Sequence, residues 1–128
     1  SITVATKSLD ASALRGKALA NNLANVSTPG YRRIEVNFEE QLREALDKKN
    51  IQGDRTDRNH FYLGRPELNK VNPQAYRSDD PTQPGEINNV DVDLEMSKLA
   101  ENQILFSYST KFITERMSDV NAAIKLKG

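Results

Sequence analysis

The stretch VDLEMSKLAENQILFSYSTKFITERMSDVNAAI, residues 92–124, decides the fold of this 128-residue chain. Mostly apolar residues recur along it at alternating spacings of four and three, the pattern of a narrow coiled-coil seam. The stretch predicts a single helix about 50 Å long. Its seam consists of Val92, Met96, Leu99, Gln103, Phe106, Thr110, Ile113, Met117, Val120 and Ile124.

A second long helix is predicted at the other end of the chain, from Ile2 to Asn25. Small residues within its seam, Gly16 above all, would let another backbone approach closely, although Gly costs about 1 kcal/mol relative to Ala in a helix. We therefore predict a mainly α fold, with long N- and C-terminal helices packing as an antiparallel coiled-coil-like pair that hides both seams. An irregular, short-β middle segment completes it. The N-terminal seam consists of Ile2, Ala5, Leu9, Ser12, Gly16, Leu19, Leu23 and Val26.

The segment between the helices begins with a turn. Thr28-Pro29-Gly30-Tyr31 fits a type II turn, in which Gly takes the positive φ, and Asn25 suits a left-handed helix end. Alternation predicts an extended segment at 31–38, and a change of period predicts a short charged helix at 38–49. The Pro- and Gly-rich residues 50–89 are interpreted as a long loop with one hairpin.

This pattern divides the chain into three parts. Residues 1–28 and 90–128 form one helical domain, residues 29–49 form the turn, extended segment and short helix, and residues 50–89 form a flexible loop whose order in the free chain the sequence leaves open. The chain opens on Ser1 without Met, so we expect some residues upstream of it.

Composition argues against several classes of function. Eighteen basic residues balance eighteen acidic ones, without the basic excess that is typical of nucleic-acid binding. Cysteine is absent, which excludes disulfides and thiolate metal sites. No run reaches the roughly 18 apolar residues of a membrane helix, and no signal-peptide pattern opens the chain.

No set of catalytic residues is recognisable either. The sequence contains no nucleophile–base pair, phosphate loop or nucleotide fingerprint, and its only histidine, His60, has no plausible partner. Asp91, Asp93 and Glu95 lack the central Gly of a calcium loop, so we interpret them as acidic residues at a helix start. We predict no catalytic residue, cofactor site or metal site.

The C-terminal seam is longer than the first helix can cover, and Leu105 and Phe112 add apolar surface beside it. Exposed apolar area of this kind usually marks contacts with other chains, although an ordinary intramolecular core is the alternative. Gln103 and Thr110 on the seam would set its register or face a channel. The predicted assembly interface comprises Leu9, Leu19, Leu23, Val92, Met96, Leu99, Phe106, Ile113, Met117, Val120 and Ile124.

The run ANNLANVSTPGY, residues 20–31, resembles the N-terminal signature of flagellar axial proteins, N-N-[ILV]-A-N-x-x-T-P-G-[YF]. Residues 31–42 and 88–103 are similar to the corresponding segments of proximal rod proteins, and the aromatic-E-A-N motif of hook and distal-rod relatives is missing. The resemblance covers roughly residues 1–46 and 85–128. The signature positions here are Asn22, Asn25, Thr28, Pro29, Gly30 and Tyr31.

The resemblance implies a structural subunit of the bacterial flagellar basal-body rod. Such proteins are exported by the flagellar type III apparatus without a cleaved signal, and they stack head to tail into a hollow periplasmic rod that transmits torque. Implied partners are the base adaptor FliE, other rod proteins and copies of the same chain, without nucleic acid or membrane insertion. The signature asparagines Asn22 and Asn25 would tie the turn to the C-terminal helix or to a neighbouring subunit. A soluble helical coiled-coil adaptor or export-related binding protein is the alternative.

Overall fold

Helices form at both ends of the chain, where the seam pattern places them. The structure, a computed structural model, describes residues 2–52 and 66–127. Its elements in chain order are α1 (Ile2–Ala24), β1 (Ile34–Asn37), α2 (Glu39–Gln52), α3 (Pro66–Asn69), β2 (Gln74–Arg77) and α4 (Val92–Lys127).

The helices α1 and α4 pack against each other in opposite directions. Asn22, near the end of α1, bonds Glu95 near the start of α4, whereas Asn102, further along α4, bonds Ser12 earlier in α1. The predicted mainly α fold, with an antiparallel pair of terminal helices and a short β segment between them, is therefore confirmed.

The turn after α1 has the expected geometry. Gly30 has a φ of 72°, and the Tyr31 N–H donates to the Thr28 carbonyl at 3.3 Å, as in a type II turn. Asn25 ends the helix without the left-handed conformation that its amide tolerates, because in the described residues only glycines have positive φ. Asn25 instead donates its side-chain amide to the Asn21 carbonyl at 2.8 Å, which satisfies a helix-end acceptor without backbone strain.

The long helix α4 starts at a side-chain cap and extends past α1. The Asp91 carboxylate accepts the Leu94 N–H at 3.2 Å, as an N-cap residue does. The 36 residues of α4 make it about 54 Å long. Phe112 and Ile113 are its last half-buried residues, and every residue from Thr114 to Leu126 is exposed.

The middle of the chain contributes a two-stranded sheet and a small apolar core. β2 pairs antiparallel with β1, with Ile34 opposite Arg77, so this strand is not half of the hairpin predicted within 50–89. Residues 53–65, including His60, lie outside the described residues. The core joins α1, α2 and α3 through Ala11, Phe38, Ala45, Leu68 and Val71. None of the described helices is long and apolar enough to cross a membrane.

Candidate functional site

The residues of α4 that are buried at its contact with α1 are polar. Glu95, Asn102 and Ser109 follow one another at a spacing of seven residues, and all three are buried, with at most 7% of each exposed. On α1, the buried residues at the same spacing are Ala5, Ser12 and Leu19. The expectation that α1 would hide the apolar seam of α4 is wrong for most of the seam, because only Leu99 and Ile113 are half-buried and the other seam positions are exposed.

Small and polar residues occupy this interface because they let the two helices approach closely. The Asn102 Nδ2 donates to the backbone carbonyl of Ser12 at 2.8 Å. A Cβ added at Gly16 would lie 3.5 Å from the same nitrogen, so little space separates the Asn102 side chain from the α1 backbone. Hydrogen bonds of this kind fix the position of one helix along another more narrowly than apolar contact does.

The predicted assembly residues divide between two environments. On α1, Leu19 is buried and Leu9 and Leu23 are half-buried. On α4, Leu99 and Ile113 are half-buried, and the polar seam positions Gln103 and Thr110 are exposed. The remaining six predicted residues of α4 are between 39% and 63% exposed: Val92, Met96, Phe106, Met117, Val120 and Ile124. We call these six residues the outer seam.

The signature residue Asn22 is the centre of a buried hydrogen-bond network. Its Oδ1 accepts the Ile34 N–H at 2.7 Å and the Tyr31 hydroxyl at 2.8 Å. Its Nδ2 donates to the Ile34 carbonyl at 2.9 Å and to Glu95 Oε2 at 3.0 Å. Two acceptor and two donor bonds use the full capacity of the amide. Asn22 therefore ties α1, the turn, β1 and α4 of the same chain together, with no bond left for a neighbouring subunit.

The other signature residues shape the turn itself. Asn25 Oδ1 accepts the Thr28 hydroxyl at 3.2 Å, so these two side chains bond each other. The Gly30 N–H donates to the Ile87 carbonyl at 2.9 Å, which ties the turn to the segment leading into α4. Pro29 is exposed, and the Arg77 guanidinium lies 5.1 Å from the centre of the Tyr31 ring.

Asn88 and Asn89 complete this junction, and sequence reasoning gave them no role. The Asn88 Nδ2 lies 3.0–3.1 Å from the carbonyl oxygens of Asn25, Val26 and Thr28. The Asn89 Oδ1 accepts the Arg33 N–H at 2.8 Å. The adjacent asparagines before the helix cap were the available sequence signal, because amides bond irregular backbone readily.

Glu95 also has a different role from the expected one. It was grouped with Asp91 and Asp93 as an acidic residue at a helix start, but it is 1% exposed and accepts a hydrogen bond from Asn22. Only Asp91 caps the helix. A buried carboxylate must be hydrogen-bonded or paired, because its desolvation costs several kcal/mol, and Asn22 supplies one such bond.

Arg33 and Arg15 form ion pairs on the surface around the sheet. Arg33 is buried and pairs with Asp80 and Glu35, and the hydrogen bond from Arg33 lowers the pKa of Asp80. Arg15 of α1 pairs with Glu39 at the start of α2, and this hydrogen bond lowers the pKa of Glu39. The Arg33–Asp80 pair connects the start of β1 with the segment after β2, and the Arg15–Glu39 pair connects α1 with the start of α2.

A groove of about 350 Å³ opens between α1, α4 and the sheet. Within residues 2–52 and 66–127, no group of three or more His, Cys, Asp or Glu side chains is arranged so that it could hold a metal ion. The groove is lined by charged side chains, an amide and apolar side chains. Its lining residues are Arg15, Ala18, Leu19, Ile34, Glu35, Val36, Glu39, Tyr76, Glu95, Lys98, Glu101, Asn102 and Leu105.

Comparisons with known proteins agree with the signature. A family model described as "Flagella basal body rod protein" matches residues 2–32. The chain is 33% identical to the flagellar basal body rod protein FlgB of Borrelia hermsii, over 98% of this chain and 96% of that protein. It is 31% identical to FlgB of Aeromonas hydrophila, over 87% and 82% of the two chains. Identity to FlgB of Bacillus subtilis is also 31%, over 82% and 74%.

Proposed function

The chain belongs to the FlgB family of flagellar basal body rod proteins, and from that premise we propose how it builds the rod. The proposal is that its terminal helices assemble with those of neighbouring subunits into the hollow periplasmic shaft of the proximal rod, which transmits torque. The family is one of structural proteins rather than enzymes. The observation that carries the assembly mechanism is the exposure of the outer seam.

The outer seam has the properties of an unfinished interface. Its six large apolar side chains share one helix, and each is at least 39% exposed. Large exposed apolar side chains on one helix in this number indicate a surface that contacts other chains. The helical segment from Thr114 to Leu126 is exposed along its whole length. A helix without tertiary contacts is marginal in water, so partner helices would stabilise this segment.

The junction around Asn22 supports the mechanical part of the proposal. A subunit that transmits torque has to keep a fixed angle between its helices under load. The bonds from Asn22 to Glu95 and from Asn102 to Ser12 are directional and buried, so rotating α4 against α1 would break both of them. The orientation of the outer seam relative to α1 is then fixed before it contacts a neighbouring subunit.

The remaining parts of the proposal concern partners and route. We propose copies of this chain, other rod proteins and the base adaptor FliE as neighbours in the rod. We further propose export through the flagellar type III apparatus without a cleaved signal. Both follow from membership of a rod protein family, and the marginal terminal helices are compatible with a chain that is exported unfolded.

Substitution of Met117 by Asp tests the role of the outer seam. Met117 is 51% exposed and lies on α4 past its contact with the first residues of α1, so its change leaves the contacts among the described residues intact. We expect Met117→Asp to abolish association with copies of the chain and with rod partners, and to abolish swimming. Ala123→Asp is the matched control, because it puts the same charge on an exposed position of α4 off the seam. Normal swimming with Met117→Asp would overturn the proposal.

Helicity separates the rod subunit from the adaptor alternative. Circular dichroism of the dilute chain should show less helix than α1 and α4 contain, and the helical signal should rise with concentration or with added rod partners. A dilute monomer with full helicity that is indifferent to both would favour a coiled-coil adaptor.

A further inference from the structure

Two features that destabilise the free chain meet at one point of the α1–α4 contact. Asn102 of α4 is 7% exposed, and its Oδ1 is the one buried side-chain nitrogen or oxygen in the described residues that lacks a hydrogen-bond partner. A buried acceptor without a partner costs free energy, because it has given up its bonds to water without replacing them. Gly16 lies opposite, in the interior of α1, where glycine is a poor helix former.

The two residues nevertheless fit each other closely. The Asn102 Nδ2 donates to the Ser12 carbonyl, one turn before Gly16, at 2.8 Å. A Cβ on Gly16 would lie 3.5 Å from that nitrogen, so a side chain larger than alanine would meet the amide. Seven residues before and after Gly16, the equivalent positions of α1 carry Leu9 and Leu23, whose side chains would cover the backbone. The glycine therefore opens the α1 backbone to Asn102 at this level of the helix.

An apolar side chain at position 102 would avoid the unpaired acceptor. Leucine branches as asparagine does, with two methyl groups in place of the amide oxygen and nitrogen. The Ser12 carbonyl would stay bonded within α1, since in an α-helix it accepts the N–H of Gly16. The stability of the free chain therefore does not explain Asn102. What the amide supplies is a short and directional contact that holds α4 against the α1 backbone.

The place of this contact along α4 gives it leverage over the exposed end of the helix. Glu95, bonded to Asn22, holds the start of α4, and Asn102 lies about 10 Å further along. The outer-seam residue Ile124 lies about 44 Å from Glu95, so a tilt of α4 about Glu95 moves Ile124 about four times as far as Asn102. From Thr114 to Leu126 the helix is exposed, so no described contact corrects its direction there.

We propose that Asn102 and Gly16 are positioning residues, whose close fit sets the direction in which residues 114–126 leave α1. The inference rests on the proposed function, because a subunit in a regular array has to present its outer seam at one angle. The amide draws α4 towards α1, and the glycine admits the amide. The unpaired acceptor and the helix-interior glycine are then costs to the free chain that serve the geometry of the assembly.

A larger side chain at position 16 tests this role. Gly16→Leu meets the Asn102 amide and should push α4 away from α1, although leucine itself favours the helix. Spin labels on Asp10→Cys and Lys111→Cys, exposed positions in the paired part of the two helices, measure the displacement, since the chain has no native cysteine. We expect the mean label distance to increase by a few ångströms. The yield of oligomers in sedimentation should fall about tenfold.

Rescue and control variants separate positioning from a general loss of structure. Adding Asn102→Ala to Gly16→Leu removes the amide that the leucine meets, so the label distance and most of the assembly should return. The matched control is Lys17→Leu, which places the same side chain one residue later on the exposed face of α1 and should change neither. Loss of assembly at an unchanged label distance, or normal assembly of Gly16→Leu, would overturn the inference.

Asn102→Leu covers the case in which Gly16→Leu does not fold. It leaves the surface of α1 unchanged and removes both the hydrogen bond and the unpaired acceptor. The urea midpoint of the free chain should stay the same or rise, whereas the distribution of label distances should broaden and assembly should fall. A lower urea midpoint with normal assembly would make Asn102 a stabilising residue only, contrary to the inference.

These outcomes are distinguishable from a failure of the proposed function. If Met117→Asp abolishes assembly but Gly16→Leu and Asn102→Leu do not impair it, the outer seam is an interface whose angle these two residues do not set. If Met117→Asp assembles as the unsubstituted chain does, the proposed function itself fails.

Discussion

The two ends of α4 differ in almost every physical respect. At the N-terminal end, Asp91 caps the helix and Glu95 is buried in bonds to α1. At the C-terminal end, Val120 and Ile124 are exposed. The asparagine and turn motif therefore organises the inside of the chain, where α4 begins. The C-terminal end of the same helix has no such contacts in the described residues.

The polar character of the α1–α4 contact explains how α4 can be held to α1 and still keep apolar side chains exposed. Asn102 and Glu95 hold α4 to α1 through directional bonds to backbone and side chain. Most of the large apolar residues of α4 consequently remain exposed. An apolar intramolecular seam would have hidden the side chains that an assembly needs, and it would have specified the helix register less strictly.

The largest expected effect is at the junction. Asn22→Ala removes four hydrogen bonds and leaves the Glu95 carboxylate and the Ile34 backbone unpaired in a buried site. We expect a loss of about 3 kcal/mol in the free energy of unfolding. Urea denaturation followed by circular dichroism measures it. The control is Asn21→Ala, an exposed asparagine one position earlier, which should cost much less.

The same urea measurement on a variant of the C-terminal end of α4 gives the contrasting result. Val120→Asp should leave the urea midpoint of the monomer unchanged, because no described residue packs over this position. If Asn22→Ala and Val120→Asp destabilised the monomer equally, the contrast between the two ends of α4 would be wrong.

A smaller effect is expected at the turn. Gly30→Ala places a side chain at a φ of 72°, and because no heavy atom lies within 4 Å of the new Cβ, the cost is backbone strain alone. We expect about 1 kcal/mol from the left-handed conformation. Gly30→Asn should recover part of it, since Asn tolerates this region better. Equal stability of Gly30→Ala and the unsubstituted chain in urea would contradict the turn geometry.

The smallest effect concerns acid stability. The hydrogen bond from Arg15 lowers the pKa of Glu39 below its ordinary value of 4.5. The folded-state pKa is therefore lower than the unfolded one. The stabilisation is fully present above pH 4.5 and is lost as the pH falls through the folded value. The Glu39 side chain is 63% exposed, so we expect only a few tenths of a kcal/mol.

Glu39→Gln tests this ion pair. Urea midpoints measured at about pH 6 and about pH 3 should differ less in the variant than in the unsubstituted chain, because the variant has one fewer carboxylate that titrates on folding. An identical pH dependence would show that the Arg15–Glu39 pair contributes nothing to stability. Asp80, whose pKa is lowered by Arg33, titrates in the same direction in both proteins and so cancels.

Sequence reasoning found the local features of the fold. The terminal helices, the turn at Gly30 and the short helix after Phe38 follow from periodicity and from the φ preferences of Pro and Gly, which neighbouring residues alone determine. The strand β2 was missed because four exposed residues carry little pattern, and their partner β1 lies about forty residues earlier in the chain.

The inner surface of α4 was missed for a different reason. Hydrophobic periodicity selects the most apolar face of a helix, and that face belongs to the outer seam. Glu95, Asn102 and Ser109 are polar, so the same criterion assigns them to solvent. Their spacing of seven, facing the equally spaced small residues Ala5 and Ser12 of α1, was the signal that could have identified them.

Asn22 has one further consequence for the sheet. Ile34 turns its N–H and carbonyl away from β2, because the Arg33 carbonyl, one residue earlier, is the one bonded to Ser78. The Asn22 amide occupies both groups, as the backbone of an adjacent strand would. A β-strand from another molecule could therefore not hydrogen-bond to the backbone of Ile34. Asn22 thereby removes one of the unpaired backbone positions through which sheet edges pair with one another.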